Sequence, residues 1–131
     1  MSTLNLLLSA VLMAVPPSSM AVMRWEKRIL LVSAPDARDS RLNEQRRIMK
    51  RWKAEAEDRD LVVVEIVSGS VTGASDDAAA LRKRYRMPAG DFSIALIGKG
   101  GGIKLHKRQP ITAETLEGTI DAMPMRRGGA R

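Results

Sequence analysis

The stretch Arg28-Ile29-Leu30-Leu31-Val32-Ser33-Ala34 is a nearly continuous apolar run, closed by Pro35-Asp36. A run this short, bounded by turn residues, reads as a strand covered on both faces and therefore central in its sheet. Beyond the turn Pro35 to Asp39, apolar residues recur at Leu42, Ile48, Met49, Trp52 and Ala56 while charges fill the other positions, so an amphipathic helix is expected over Arg41 to Glu57. Leu61-Val62-Val63-Val64-Glu65-Ile66-Val67 then repeats the strand pattern, and a strand, helix, strand succession implies a right-handed parallel crossover.

Downstream, the Gly- and Ser-rich stretch Ser68 to Ser75 reads as a loop, and Ser75-Asp76-Asp77 as the cap of a short helix through Tyr85, stopped by Pro88-Ala89-Gly90. Phe92 to Ile97 is a third apolar strand and Gly98 to Gly102 a glycine turn. Ile103 to Arg108 is a fourth strand alternating apolar and basic residues, so the last two strands pair antiparallel. Thr112 caps a final helix to about Ala122, ended by Met123-Pro124. The order is β-α-β-α-β-β-α, an α/β domain with a four-stranded mixed sheet in the succession of the thioredoxin-like fold. Pro88 stands near the place where that fold carries a cis proline, although Ala89 to Asp91 intervene before the strand, so either isomer fits.

The chain has 131 residues and 14.4 kDa, enough for one domain. With 44% hydrophobic and 28% charged residues it is neither disordered nor a multi-pass membrane protein. Cysteine is absent, which excludes a disulfide framework, a thiol redox centre, a cysteine nucleophile and any thiolate metal site. A single histidine, His106, leaves little room for a metal cluster, so no metal and no cofactor is expected. Residues 1–23 carry no charge and include the apolar run Leu4 to Val15, followed by Pro16 and Pro17, with small residues at Ser19 and Ala21. They read as a signal peptide or targeting segment too short to span a bilayer, although no cation precedes the run. The expected organisation is a leader over 1–23, a thioredoxin-like domain over 24–127 and a basic tail over 128–131, with no transmembrane span in the mature chain. The protein is then periplasmic or secreted, with a cytoplasmic or N-terminally anchored location as the alternative.

Four groups of residues carry a family resemblance: Ile29-Leu30-Leu31-Val32 with Ala34-Pro35-Asp36; Arg59 to Glu65; Leu96-Ile97-Gly98-Lys99 with Gly101-Gly102 and Lys104-Leu105; and Ile120-Asp121-Ala122-Met123-Pro124-Met125-Arg126. Together they resemble the bacterial domain of unknown function 4174. The resemblance implies a thioredoxin-like, peroxiredoxin-related fold with no established activity. Gly100 departs from it, since an acidic residue is commoner in that turn.

Few motifs carry chemistry. Gly98-Lys99-Gly100-Gly101-Gly102 lacks the Ser or Thr and the following helix of a phosphate-binding loop and reads as a hairpin turn. Ser68-Gly69-Ser70 is not a nucleophile elbow. His106, alternating with Lys104 and Arg108, points outward with those cations. The loop Pro35 to Arg41 occupies the place where thioredoxin-like enzymes hold their catalytic residues, at a helix start that favours anions. Asp36, Arg38 and Arg41, with Arg59 and Lys99, are therefore the candidate ligand-binding residues; the plainer reading is a local ion-pair cluster, with Arg59 bonded to Asp36 or to the end of the preceding helix. No catalytic residue can be named. The net charge of +7, concentrated at Arg46, Arg47, Lys50, Arg51 and Lys53 and again at Lys99, Lys104, Lys107 and Arg108, suits an anionic ligand or an acidic envelope protein. Four aromatic residues give no stacking platform, which argues against nucleic acid. Three functions remain open: a non-redox binding or interaction module of the cell envelope; a cysteine-free enzyme or anion binder using the Asp36 to Arg41 loop; and a basic surface for nucleic acid or anionic lipid.

Overall fold

A computed structural model describes residues 17–124; most of the expected leader, before Pro17, and the expected basic tail 128–131 lie outside the described residues. The elements are α1 (Met20–Met23), β1 (Arg28–Ala34), α2 (Ser40–Arg51), α3 (Lys53–Asp58), β2 (Leu61–Val67), β3 (Ser70–Thr72), α4 (Ala78–Arg84), β4 (Ser93–Ile97), β5 (Ile103–Lys107) and α5 (Ala113–Asp121). They build a mixed α/β domain on one sheet of strand order β3-β2-β1-β4-β5. As the alternation of strands and helices predicts, β1 and β2 are parallel, from Arg28 opposite Leu61 to Ala34 opposite Val67. The β4–β5 hairpin is antiparallel, and β4 also runs antiparallel to β1.

The sheet has five strands rather than the expected four. Ser70–Thr72, which reads as loop, turns back after Ser68-Gly69 and pairs antiparallel with the outer edge of β2, Val67 opposite Ser70. Three residues are too few to show a period, yet pairing satisfies backbone groups that β2 would otherwise leave open. The expected single helix over Arg41 to Glu57 is also broken, into α2 and α3, at Trp52, whose backbone leaves helical geometry (φ −101°, ψ 17°) where its side chain is buried. No cis peptide occurs among the described residues.

Every residue of β1 is buried, as a central strand requires. Its alternate side chains feed two cores. Leu30, Val32 and Ala34 join Leu42, Trp52, Ala56, Phe92, Leu116 and Ile120 beneath α2, α3 and α5. Ile29 and Leu31 join Leu81 and Tyr85 beneath α4 on the other face. Met20 belongs to this second core, its N–H donates to an Asp76 carboxylate oxygen at 2.8 Å, and the Ser75 N–H donates to the Ser18 carbonyl. Residues 18–23, placed in the leader on sequence grounds, are thus packed against α4 and the loop before it. Asp76 is consequently not the helix cap; Asp77 is, accepting from the Ala80 N–H.

Candidate functional site

The five candidate residues separate to the two ends of β1. Asp36, Arg38 and Arg41 follow its carboxyl end, while Arg59 precedes the start of β2 and Lys99 follows the end of β4, both beside the amino end of β1. Seven extended residues span about 20 Å, so Arg59 does not reach Asp36; it takes the other expected course, its Nη1 donating to the Glu55 carbonyl of the preceding helix at 3.0 Å.

At the carboxyl end the charges are used locally. Asp39 caps α2, accepting from the Arg41 and Leu42 N–H groups, and also takes the Arg41 guanidinium at 3.1 Å. That guanidinium bond holds the Asp39 carboxyl below the usual carboxylate range. Arg41 continues to Asp91 at 3.0 Å, and Asp91 meets Arg108 at 3.3 Å. Asp91 is lowered too, chiefly by the Phe92 N–H and then by Arg41. Asp36 accepts the Arg38 N–H in a tight turn. The alternation of Asp and Arg thus yields the expected pairing for Asp39 with Arg41, while Asp36 takes the Arg38 backbone N–H and Arg41 reaches outside the loop to Asp91.

The amino end is different. All three charged residues buried among the described ones are cations, Arg28, Arg59 and Lys99, and all three stand here. Arg59 is neutralised by its surroundings: its guanidinium meets both Asp121 oxygens at 3.0 Å and Glu55 at 2.9 Å, and lies over the Trp52 ring. The bond to Asp121 raises its pKa further. Its backbone carbonyl accepts from Arg28 Nη1 at 2.7 Å, while Arg28 Nε points at the Met123 sulfur at 3.4 Å. Arg28, 2% exposed, is thereby fixed in place at the head of β1. Lys99, 3% exposed, extends its ammonium to Asp60 at 2.8 Å.

Around these two cations lies a cleft of about 200 Å³, walled by Trp25, Met123 and Pro124 and by the Gly98-Lys99-Gly100 backbone, with Lys104 as a third cation. Among the described residues no carboxylate lines it. Lys104 arrives through a register shift: Leu96 faces Leu105 and Ile97 faces Ile103, so Lys104 is the extra residue of a bulge. Bulges re-aim side chains, and here Lys104 crosses Gly98, where an added Cβ would lie 2.9 Å from Lys104 Cε. Lys104, His106 and Arg108 are all exposed as expected, but the bulge takes Lys104 out of the strand's alternation. Trp25 and Asp60, both beside the cleft, have left-handed backbones (φ 74° and 54°), a conformation that costs roughly 1–3 kcal/mol in a non-glycine residue and persists where the surroundings enforce it. The Trp25 N–H donates to the Lys99 carbonyl at 2.6 Å.

Arg28, Trp25 and Met123 are not candidates on sequence grounds, and Lys104 stands there only among the basic residues of the hairpin. An arginine at the first position of an otherwise apolar strand is the available signal for Arg28; the bulge leaves none that joins Lys104 to this cleft. A larger cleft of about 330 Å³ between α2 and α5 is lined by Ile48, Trp52 and Ala113, with Arg51 and Glu114 of opposite sign, so it selects no charge. Among the described residues no three His, Asp or Glu side chains are grouped to hold a metal, and no helix is long and apolar enough to cross a membrane.

These features define a mixed α/β domain with a buried-cation cleft at one end of its central strand. The model of the family described as Domain of unknown function (DUF4174) matches residues 19–128, and the chain belongs to that family. The match starts within the segment that packs through Met20. No curated protein matches the chain, and no solved structure does.

Proposed function

We propose that the chain is a cysteine-free, thioredoxin-like binding module that holds a small anion in the cleft of Arg28, Lys99 and Lys104 and works at the bacterial cell envelope. The architecture is supported by the order β2-β1-β4-β5, with β4 antiparallel to both neighbours and helices on both faces. One observation carries the binding function: among the described residues Arg28, Lys99 and Lys104 line a concave site with Trp25, Met123 and Pro124 and no carboxylate, with Asp60, the acid paired to Lys99, standing behind it. Cations held in low-dielectric surroundings attract an anion more strongly than surface lysines do. The envelope location rests on the uncharged, apolar N-terminal segment. Processing at Ala21 would strip Met20 from its core, so a cleavage that keeps this core intact falls at or before Ser18.

A ligand that binds only the folded state raises its melting temperature by mass action. The full chain is melted in phosphate, sulfate or acetate against chloride at equal ionic strength, alongside Lys104→Gln. A saturable stabilisation by at least one of these anions, weakened in Lys104→Gln, is expected; equal melting temperatures in all four salts refute the binding function. N-terminal sequencing of the protein from fractionated cells tests the location, and an intact chain confined to the cytoplasm refutes it.

A further inference from the structure

We infer that the ligand of this cleft is a small organic monocarboxylate carrying a flat or short apolar body, rather than an inorganic anion or a nucleotide. This inference rests on the anion-binding reading above and goes past it to the ligand's class. Size sets the first bound. A cavity of about 150 Å³ takes up benzene, so about 200 Å³ accommodates one ring or a short acyl chain together with its anionic head. Nucleotide-sized ligands need clefts of about 300 Å³ or more.

The walls set the second bound. Trp25, Met123 and Pro124 offer an indole, a thioether and a proline ring, surfaces that gain from covering an apolar group and gain nothing from a bare phosphate. Trp25 is 60% exposed and lies against the glycine turn, its ring 3.6 Å from where a Gly100 side chain would begin. The Arg24 guanidinium stands 5.3 Å from the ring centroid, so the fold holds this ring against Gly100 and Arg24 and still leaves more than half of it exposed.

Charge sets the third bound. Lys99 is compensated by Asp60 and Arg28 is held by the Arg59 carbonyl, so the positive charge the cleft offers a ligand comes chiefly from Arg28 and from Lys104 at its exposed rim. That field suits one negative charge better than several.

The test uses the full chain, isotopically labelled and titrated with benzoate, benzamide and inorganic phosphate at fixed ionic strength, following the Trp25 indole and Gly98–Gly102 amide resonances. Benzamide keeps the ring and loses the charge; phosphate keeps the charge and loses the ring. Benzoate is expected to bind at least about tenfold more tightly than either. Trp25→Ala should weaken benzoate about three- to tenfold and leave phosphate unchanged, and Lys104→Gln should weaken benzoate by a similar factor and leave benzamide unchanged. Both side chains are exposed, so neither variant threatens the fold. Phosphate binding as tight as benzoate, indifferent to Trp25→Ala, overturns the inference and leaves the anion-binding reading standing. Benzamide binding as tight as benzoate, or no shift of these resonances with any probe, overturns both.

Discussion

Replacing Gln45 by Leu should destabilise the fold more than any exposed substitution on the same helix. Gln45 is 1% exposed, on the face of α2 that covers the first core. Its Nε2 donates to the Ile111 carbonyl at 3.1 Å, and its Oε1 accepts from the Ile111 N–H at 2.7 Å. One side-chain amide thus satisfies both backbone groups of a buried residue at the entry to α5. Leucine fills nearly the same volume and pairs with neither group. Each buried polar group left without a partner costs about 1–3 kcal/mol, and extra apolar burial returns roughly 1 kcal/mol. The expected net loss is therefore about 1–5 kcal/mol. With a urea slope of about 2 kcal/mol/M, the unfolding midpoint should fall by roughly 0.5–2.5 M at unchanged slope. Arg47→Ala, on the exposed side of α2, should stay within about 0.5 kcal/mol. A Gln45→Leu midpoint indistinguishable from that of Arg47→Ala would refute the reasoning, because it would mean that water reaches Ile111 or that the turn relaxes at no cost.

Gly73 has a left-handed backbone (φ +93°), and an added Cβ would lie 2.6 Å from the Val63 carbonyl oxygen, so Gly73→Ala should cost about 2–4 kcal/mol and a near-native urea midpoint would contradict this. Met20→Ala should cost about 2 kcal/mol by thermal or urea unfolding, since it empties a site in the second core; no measurable loss would mean that residues 18–23 are not part of the fold. Asp39 and Asp91 are held below the ordinary carboxylate range when folded, Asp39 mainly by Arg41 and Asp91 mainly by the Phe92 N–H. Their stabilisation is present above the unfolded value near 3.8 and lost as the pH falls through the lower folded values, so urea midpoints should drop across that acid range. Arg41→Ala should flatten the drop, and an unchanged acid profile would show that this pairing contributes nothing.

Much of the fold was legible because its signals are local. The run Arg28 to Ala34, the β-branched run Leu61 to Val67 and the cap at Thr112 each announce an element through residues a few positions apart, and all three stand where the periodicity puts them. The signal failed where an element was too short or a period was interrupted. Ser70–Thr72 shows no alternation, and the break at Trp52 lies inside an apolar stripe that runs on to Ala56. Gln45 sits between Leu42 and Met49 on that stripe, and its burial was readable there as a polar residue on an apolar face; its partner, 66 residues away, was not.

By itself, then, the sequence determined the α/β class, the parallel pair at the centre, the closing hairpin, the net positive charge and the exclusion of thiol chemistry. Those follow from composition and from patterns of period two and 3.6, which a chain carries before it folds. Tertiary structure alone decided which cations share a site. Arg59 and Lys99 were separated from Asp36 by the length of β1, Arg28 was buried by the crossing of β1 beneath Met123, and Lys104 was turned across Gly98 by one extra residue in β5. The direction of a strand and a one-residue shift of register leave almost no local trace, yet they set where every charged side chain ends.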